Sequence, residues 1–190
     1  MNQLPKRPEP AERLNFPNSI EAVVNHVLKG KVTPRLKELL RAEGVDLDRP
    51  LRPAYPADAW SKCLEHIALE LFPNRPPEES FRAMGSSTID GLEGTMWGRA
   101  LLAMMRLLGP RRLLIRLQKD IRASDNFTNL VVTELEKTHF EIAVNWGNAI
   151  PGYVEGLLGS LMMAGGARKP VVTHVSTQAS DSIYRVRWEE

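Results

Sequence analysis

Asn126–Trp146, NFTNLVVTELEKTHFEIAVNW, runs through Gly147–Ala167, GNAIPGYVEGLLGSLMMAGGA, into Lys169–Trp188, KPVVTHVSTQASDSIYRVRW, and the reading of this stretch decides the fold. The first part alternates: Phe140, Ile142 and Val144 share one side of a strand, and His139, Glu141 and Asn145 the other, with Glu136-Lys137-Thr138 as the turn. The last part repeats the scheme, with Val171, Thr173 and Val175 in one strand, Ile183 to Trp188 in its partner and Ala179 to Ser182 between them. The middle part has helical spacing. Hairpin, helix, hairpin predicts one four-stranded antiparallel sheet whose apolar face must be covered, by the intervening helix and by whatever precedes it. No catalytic motif stands out in this stretch or elsewhere.

With 190 residues, 43% of them hydrophobic, the chain is long enough for one well-cored domain and short for two. The fold class expected is therefore α+β: a mobile arm over residues 1–18, rich in proline and charge, then a single domain over 19–190 whose first two-thirds is helical. A net charge of +2 falls well short of a dedicated nucleic-acid binder, so no nucleic-acid partner is expected. One cysteine, Cys63, excludes an intrachain disulfide framework and suits a reducing, cytoplasmic setting. Residues 1–16 lack the apolar core of a secretory signal, and no run approaches the roughly 20 apolar residues that span a bilayer.

The helices follow in order. Ser19 is placed to cap a helix carrying Ile20, Val23, Val24, Val27 and Leu28 on one stripe, with Gly30 at its end. Thr33-Pro34 opens a second, with Leu36, Leu39 and Leu40 inward, and Asp58 a third, with Trp60, Leu64, Ile67 and Leu71 inward. Beyond Asn74-Arg75-Pro76-Pro77 a long helical region begins, in which Gly91, Gly94 and Gly98 stand on one side. Glycine costs about 1 kcal/mol in a helix interior, so something must come close to the backbone there. Met96 to Leu108 is almost wholly apolar and is the expected central buried helix. Gly109-Pro110 ends it and starts another, with Arg112, Arg116 and Lys119 on a basic face. The last helix repeats the glycine stripe with Gly152, Gly156 and Gly159. The two glycine-faced helices either pack closely together or wall a cavity.

Leu40–Trp60 (LRAEGVDLDRPLRPAYPADAW), Leu107–Leu117 (LLGPRRLLIRL), Asn126-Phe127-Thr128, the Asn-x-x-x-x-x-Pro-Gly-Tyr run of Asn145–Tyr153, and the closing Tyr184–Trp188 (YRVRW) resemble, in order and spacing, a myxobacterial paralogous family of uncharacterised proteins, domain of unknown function 2378. The resemblance covers nearly all the chain after Phe16. That family is similar in fold to the haem–nitric-oxide-binding, four-vinyl-reductase and transport-protein-particle group, which implies helices first, then an antiparallel sheet with a helix between hairpins. Members of the group bind haem, sense small apolar molecules, or carry an acyl chain while pairing through helices. Haem would require a proximal histidine and a Tyr-x-Ser-x-Arg clamp; the nearest string, Tyr184-Arg185-Val186-Arg187, lacks the serine, and no cofactor is expected.

Site chemistry is sparse. Cys63, His66 and Glu70 fall on nearly one helical face, but side chains of one helix point outward side by side and no further ligand pattern joins them, so neither a metal site nor a catalytic one is expected. Two glycine stripes, the apolar helix and a methionine cluster instead suggest a pocket for a small hydrophobic ligand, with Gly91, Gly94, Gly98, Met104, Met105, Gly156, Gly159 and Met162 as candidate lining. The basic stripe Arg112, Arg116 and Lys119, extended by Arg111 and Arg122, and the loop residues Asn145, Asn148 and Tyr153 are the candidate interaction surface. The expectation is a non-enzymatic ligand-sensing or adaptor module, paired as a homodimer or with a protein partner; the alternative is an assembly subunit without a ligand.

Overall fold

The computed structural model describes residues 9, 12–94, 96–145, 150, 152–178 and 181–189. Short strand β1 (Leu14–Asn15) leads into α1 (Pro17–Ala22), which widens into a π-helical turn over Val23–Leu28; then come α2 (Pro34–Ala42), β2 (Tyr55–Pro56), α3 (Ala57–Leu71), α4 (Pro77–Asp90) and the long α5 (Met96–Asp120). The second half holds β3 (Leu130–Glu136), β4 (His139–Val144), α6 (Tyr153–Ala164), β5 (Arg168–Gln178) and β6 (Asp181–Glu189). The fold is α+β, with β3-β4-β6-β5 forming one antiparallel sheet and β1 pairing with β2 in a small second one.

The start of each helix follows from its own residues. Thr33 is extended, and its hydroxyl accepts from the Leu36 amide at 3.1 Å, with Pro34 in the first turn as the sequence predicts. Two other starts differ. Helix α1 begins at Pro17 rather than after Ser19, whose hydroxyl instead donates to the Phe16 carbonyl at 2.8 Å. Helix α3 begins at Ala57, behind the extended Pro56, so Asp58 lies inside the first turn, where its charge favours the helix dipole. The stretch expected to be a free arm is held from Glu12 onward: Asn126 accepts from the Leu14 amide and donates to the Glu12 carbonyl, both at 2.9 Å, and the Phe16 amide donates to the Ser124 carbonyl.

Two apolar cores result. One, built by α1 to α4, buries Leu28, Leu36, Leu40, Ile67 and Met84. The other lies under the sheet and buries Phe140, Ile142, Val144 and Val186 with Leu114 of α5 and Met162 of α6. Strand β4 thus alternates as expected, and Phe140 stacks on Trp188 with centroids 5.6 Å apart. Strand β5 holds Val171, Thr173 and Val175 as the sequence predicts, on its outer side. Val171, Thr173 and Val175 are exposed and Val172 packs inward; Val171 to His174 pair with β6 in unbroken register, between irregularities at Arg168/Val171 and His174/Ser176. Asp181 and Ser182, read as turn residues, already pair in β6.

Helix α6 serves both cores. Tyr153 belongs to the first and Val154, Leu158 and Met162 to the second. It locks onto α4 through glycines: a Cβ on Gly156 would stand 2.0 Å from the Arg82 carbonyl oxygen, and one on Gly85 would stand 2.2 Å from the Tyr153 carbonyl oxygen. Backbones touch there, so Gly156 walls no cavity. The other glycine stripe is not a stripe. Gly91 to Gly94 form a 3₁₀ turn that separates α4 from α5, and Gly91 packs against His26, whose Cβ would lie 2.4 Å from an added Cβ. Met96–Leu108 is likewise no central buried helix. It lies at the surface, with Met96, Met104 and Leu107 exposed, and Gly109 at φ 76° kinks the chain before Pro110 starts the second half of α5.

A candidate ligand cavity between the two cores

Between α1, α3, the end of α5 and the start of α6, the described chain forms a partly open cavity of about 250 Å³. Each wall is placed by local chemistry. The α-to-π transition in α1 turns Ala22 and Val23 toward it; such widened turns recur at functional sites. The inward stripe of α3 supplies Trp60 and Leu64, and the last turn of α5 and the 3₁₀ turn after it supply Leu117 and Ile121. Helix α6 supplies Tyr153 and Leu157, positioned because Gly152, at φ 91°, lets the helix start directly against the Glu78 carbonyl.

Polar side chains also stand in this wall, Asn18, Ser19, Ser61 and Ser124 among them, and two groupings have defined hydrogen bonds. The Tyr153 hydroxyl lies 3.4 Å from the Thr88 hydroxyl of α4. Burial pushes the phenol upward, against the smaller opposite effect of that hydrogen bond, so Tyr153 is a neutral hydrogen-bonding group. Asp125 forms a closed turn: one carboxylate oxygen accepts from the Phe127 amide at 3.0 Å and the Thr128 amide at 2.5 Å, the other from the Thr128 hydroxyl at 2.7 Å. Burial raises the Asp125 pKa, and these hydrogen bonds only partly oppose it. Asn15, which bridges to Asp125, completes that side. No Lys, Arg, His, Cys or Met lines the cavity among the described residues.

The residues singled out from sequence do not converge here, with one exception. Tyr153, expected on an interaction loop, is buried and lines the cavity. Gly91 and Gly156 sit in backbone contacts, Gly98 is buried in α5, Gly159 faces open space, and Met162 is core. Met104 is exposed and Met105 packs on the core beneath the sheet. For Gly94 only its place at the end of the 3₁₀ turn is described. Arg112 and Arg116 are exposed on α5, while Arg111 beside them is engaged by Glu134 through two hydrogen bonds of 3.0 and 2.7 Å. The Lys119 and Arg122 side chains and all of Asn148 lie outside the described residues. Asn145 is buried at the end of β4, its side-chain oxygen accepting from the Asn129 amide. Cys63, His66 and Glu70 go separate ways: the thiol is buried, His66 approaches Glu43 at 3.8 Å, and Glu70 accepts from Thr33 at 2.7 Å. Among the described residues, no group of three or more His, Cys, Asp or Glu is placed to hold a metal ion.

Thr88, Leu117 and Asp125 were missed. Only Asp125 carried a local signal, since Asp-Asn-Phe-Thr is the pattern of an aspartate that bonds the backbone ahead of it.

Comparison with known proteins gives a family and a fold. The family described as "Protein of unknown function (DUF2378)" matches residues 13–189. No curated protein matches the chain. Among solved structures, an H-NOX protein from S. oneidensis in the Fe(II)NO ligation state is similar with a TM-score of 0.66 at 14% identity, over 90% of this chain and 98% of that one. An oxygen binding H-NOX domain related to soluble guanylate cyclases gives 0.63 at 16% identity, over 90% and 93%. At these identities the likeness is one of fold. Among the described residues, no helix is long and apolar enough to cross a membrane.

Proposed function

The chain belongs to the DUF2378 family of proteins of unknown function, and from that premise we propose that it is a non-enzymatic small-molecule-sensing module whose ligand binds between α1, α3, the end of α5 and the start of α6. The observation that carries this reading is the cavity itself: about 250 Å³, mostly apolar, with the Tyr153–Thr88 hydroxyl pair as a neutral polar feature in its wall. An anion placed there would meet Asp125 and no described cation. The ligand class is therefore a compact, neutral, mainly apolar molecule with one hydrogen-bonding group. Such a ligand touches α1 and α3 on one side and α5 and α6 on the other, so its binding biases how these helices sit together.

The H-NOX-like fold implies haem, and the described lining does not fit it. Haem iron takes an axial histidine, cysteine, methionine or tyrosinate. Histidine, cysteine and methionine are absent from the described wall, and Tyr153 is held as a neutral phenol. No described basic side chain stands there to meet propionates, and the volume lies below the roughly 300–1,000 Å³ of ordinary ligand pockets. A myxobacterial, paralogous origin and a reducing cytoplasmic home belong to the same proposal, supported by the block pattern of the sequence and by the single buried thiol. The adaptor reading is favoured by one observation, the exposed apolar first half of α5.

Thermal denaturation against a panel of neutral aromatics, alkyl alcohols, fatty acids and haemin tests the proposal. At a hundredfold excess over Kd, a ligand adds about 2.7 kcal/mol, which for a chain of this size raises Tm by about 5–10 °C. The neutral compact class should do so, and Ala22→Phe, which fills the cavity, should abolish the shift in a folded protein. A shift by haemin alone, or by no class at all, overturns the reading.

A further inference from the structure

Leu40–Trp60 is one of the blocks that carry the family likeness, yet of its residues only Trp60 lines the cavity beside Tyr153. Between the end of α2 and β2 this stretch builds a second, open pocket of about 370 Å³, lined by Arg41, Asp46, Arg49, Arg52 and Tyr55 among others. Its shape follows from the chain. Gly44, at φ 91°, ends α2 and has nothing within 4 Å of where a Cβ would stand, and the fully buried Val45 then anchors the turn. Asp46 accepts from the Asp48 amide at 3.0 Å, which folds the loop back, and Arg41 of α2 meets both carboxylates, at 3.4 Å from Asp46 and 2.9 Å from Asp48.

The charges here do not cancel. Asp46 is met by Arg41 and, at 3.5 Å, by Arg49, and Asp48 by Arg41 and Lys37. With Arg52, four cations stand around two carboxylates, and the Arg52 guanidinium has no hydrogen bond or ion pair among the described residues. Tyr55 is 2% exposed, and its hydroxyl oxygen accepts from the Arg52 amide at 2.9 Å, while its own hydrogen has no acceptor among the described residues. A buried hydroxyl ordinarily finds one, and an anion oxygen in the pocket that Tyr55 lines would supply it. The planar fork of a guanidinium matches carboxylate or phosphate oxygens, and a surplus of two positive charges favours a dianion over a monoanion. We propose that this pocket binds a small organic phosphate monoester, with the phosphate held by Arg52, Arg49 and the Tyr55 hydroxyl. The pocket shares no lining residue with the cavity described above, so the two ligands are independent of each other.

Calorimetric titration of the full chain with phenyl phosphate, at fixed ionic strength and about pH 8, where the monoester is a dianion, tests this. Phenyl phosphate should bind at a single site, and benzoate, which presents the same ring with one charge, about tenfold or more weaker. Arg52→Gln should weaken phenyl phosphate about tenfold or more, as the loss of a charge-assisted hydrogen bond does, and leave the urea midpoint unchanged, because its side chain loses no described partner. Arg49→Gln, at a side chain 83% exposed, should weaken binding in the same direction. Ala22→Phe should leave phenyl phosphate binding as it is, which separates this site from the ligand cavity. No binding at millimolar phenyl phosphate, benzoate bound equally well, or an affinity that both arginine variants leave intact overturns the proposal. So does phenyl phosphate binding that Ala22→Phe abolishes.

Discussion

Gly156 and Gly159 stand three residues apart in α6, yet alanine should act on them with opposite sign. An alanine Cβ at Gly156 would lie 2.0 Å from the Arg82 carbonyl oxygen, 2.9 Å from its carbon and 3.0 Å from the Ser86 nitrogen. Since these are backbone atoms, α4 and α6 must move apart by roughly 1 Å to reach ordinary contact. That movement also opens the Gly85 contact on Tyr153 and the 3.3 Å bond from the Ser86 hydroxyl to the Gly156 carbonyl. Overpacking costs about 1–3 kcal/mol and the strained hydrogen bond about 0.5–1.5 kcal/mol, offset by about 1 kcal/mol of helix propensity. The net loss is about 1–3 kcal/mol, a fall in Tm of roughly 3–10 °C. At Gly159 nothing lies within 4 Å of the added methyl, so only the propensity term remains and Gly159→Ala should gain up to about 1 kcal/mol. Urea denaturation followed by circular dichroism measures both. Equal signs for the two variants, or a Gly156→Ala midpoint unchanged from wild type, would refute the claim that α4 and α6 meet backbone to backbone.

Phe140→Ala removes a fully buried ring stacked on Trp188 and should cost about 3–5 kcal/mol, read from the same urea titration. Burial, with a smaller contribution from Glu43, pushes the Cys63 thiol up to about 12, so a disulfide reagent at pH 8 should label it only after denaturant unfolds the chain. Asp125 titrates above its unfolded value in the native state. Its contribution to stability is therefore full below the unfolded carboxyl pKa and is lost as pH rises through the folded one. Asp125→Asn keeps one oxygen for the Phe127 and Thr128 amides, so its stability relative to wild type should increase as pH rises from the acid range to neutrality, as urea midpoints across pH will show.

What could be read in the chain beforehand depended on whether neighbours in sequence shared a constraint. Strand β4 has partners on both edges and one dry face, so Phe140, Ile142 and Val144 had to alternate, and they do. Strand β5 is an edge strand, and Val171, Thr173 and Val175 do lie in it, but which of its sides meets the core was not legible: they face outward and Val172 packs inward. Met96–Leu108 reads as core because a helix apolar on most sides is ordinarily buried. The same pattern also describes a helix awaiting a partner, which one chain's sequence does not distinguish. Glycine spacing revealed that a close approach existed near α6, but the Arg82 carbonyl that makes Gly156 necessary, and the open space that leaves Gly159 idle, lie on another element or nowhere. The cavity was least legible of all. Trp60, Thr88, Leu117 and Tyr153 come from four helices, and each looks locally like an ordinary core or boundary residue.

A crystal structure of the protein purified from its native cells tests the central claim most directly, through the electron density beside Tyr153. The account predicts a compact neutral molecule bounded by Trp60, Leu117 and Leu157, with one polar atom within hydrogen-bonding distance of the Tyr153 or Thr88 hydroxyl. A tetrapyrrole there, with its metal ligated by a protein side chain, would contradict it.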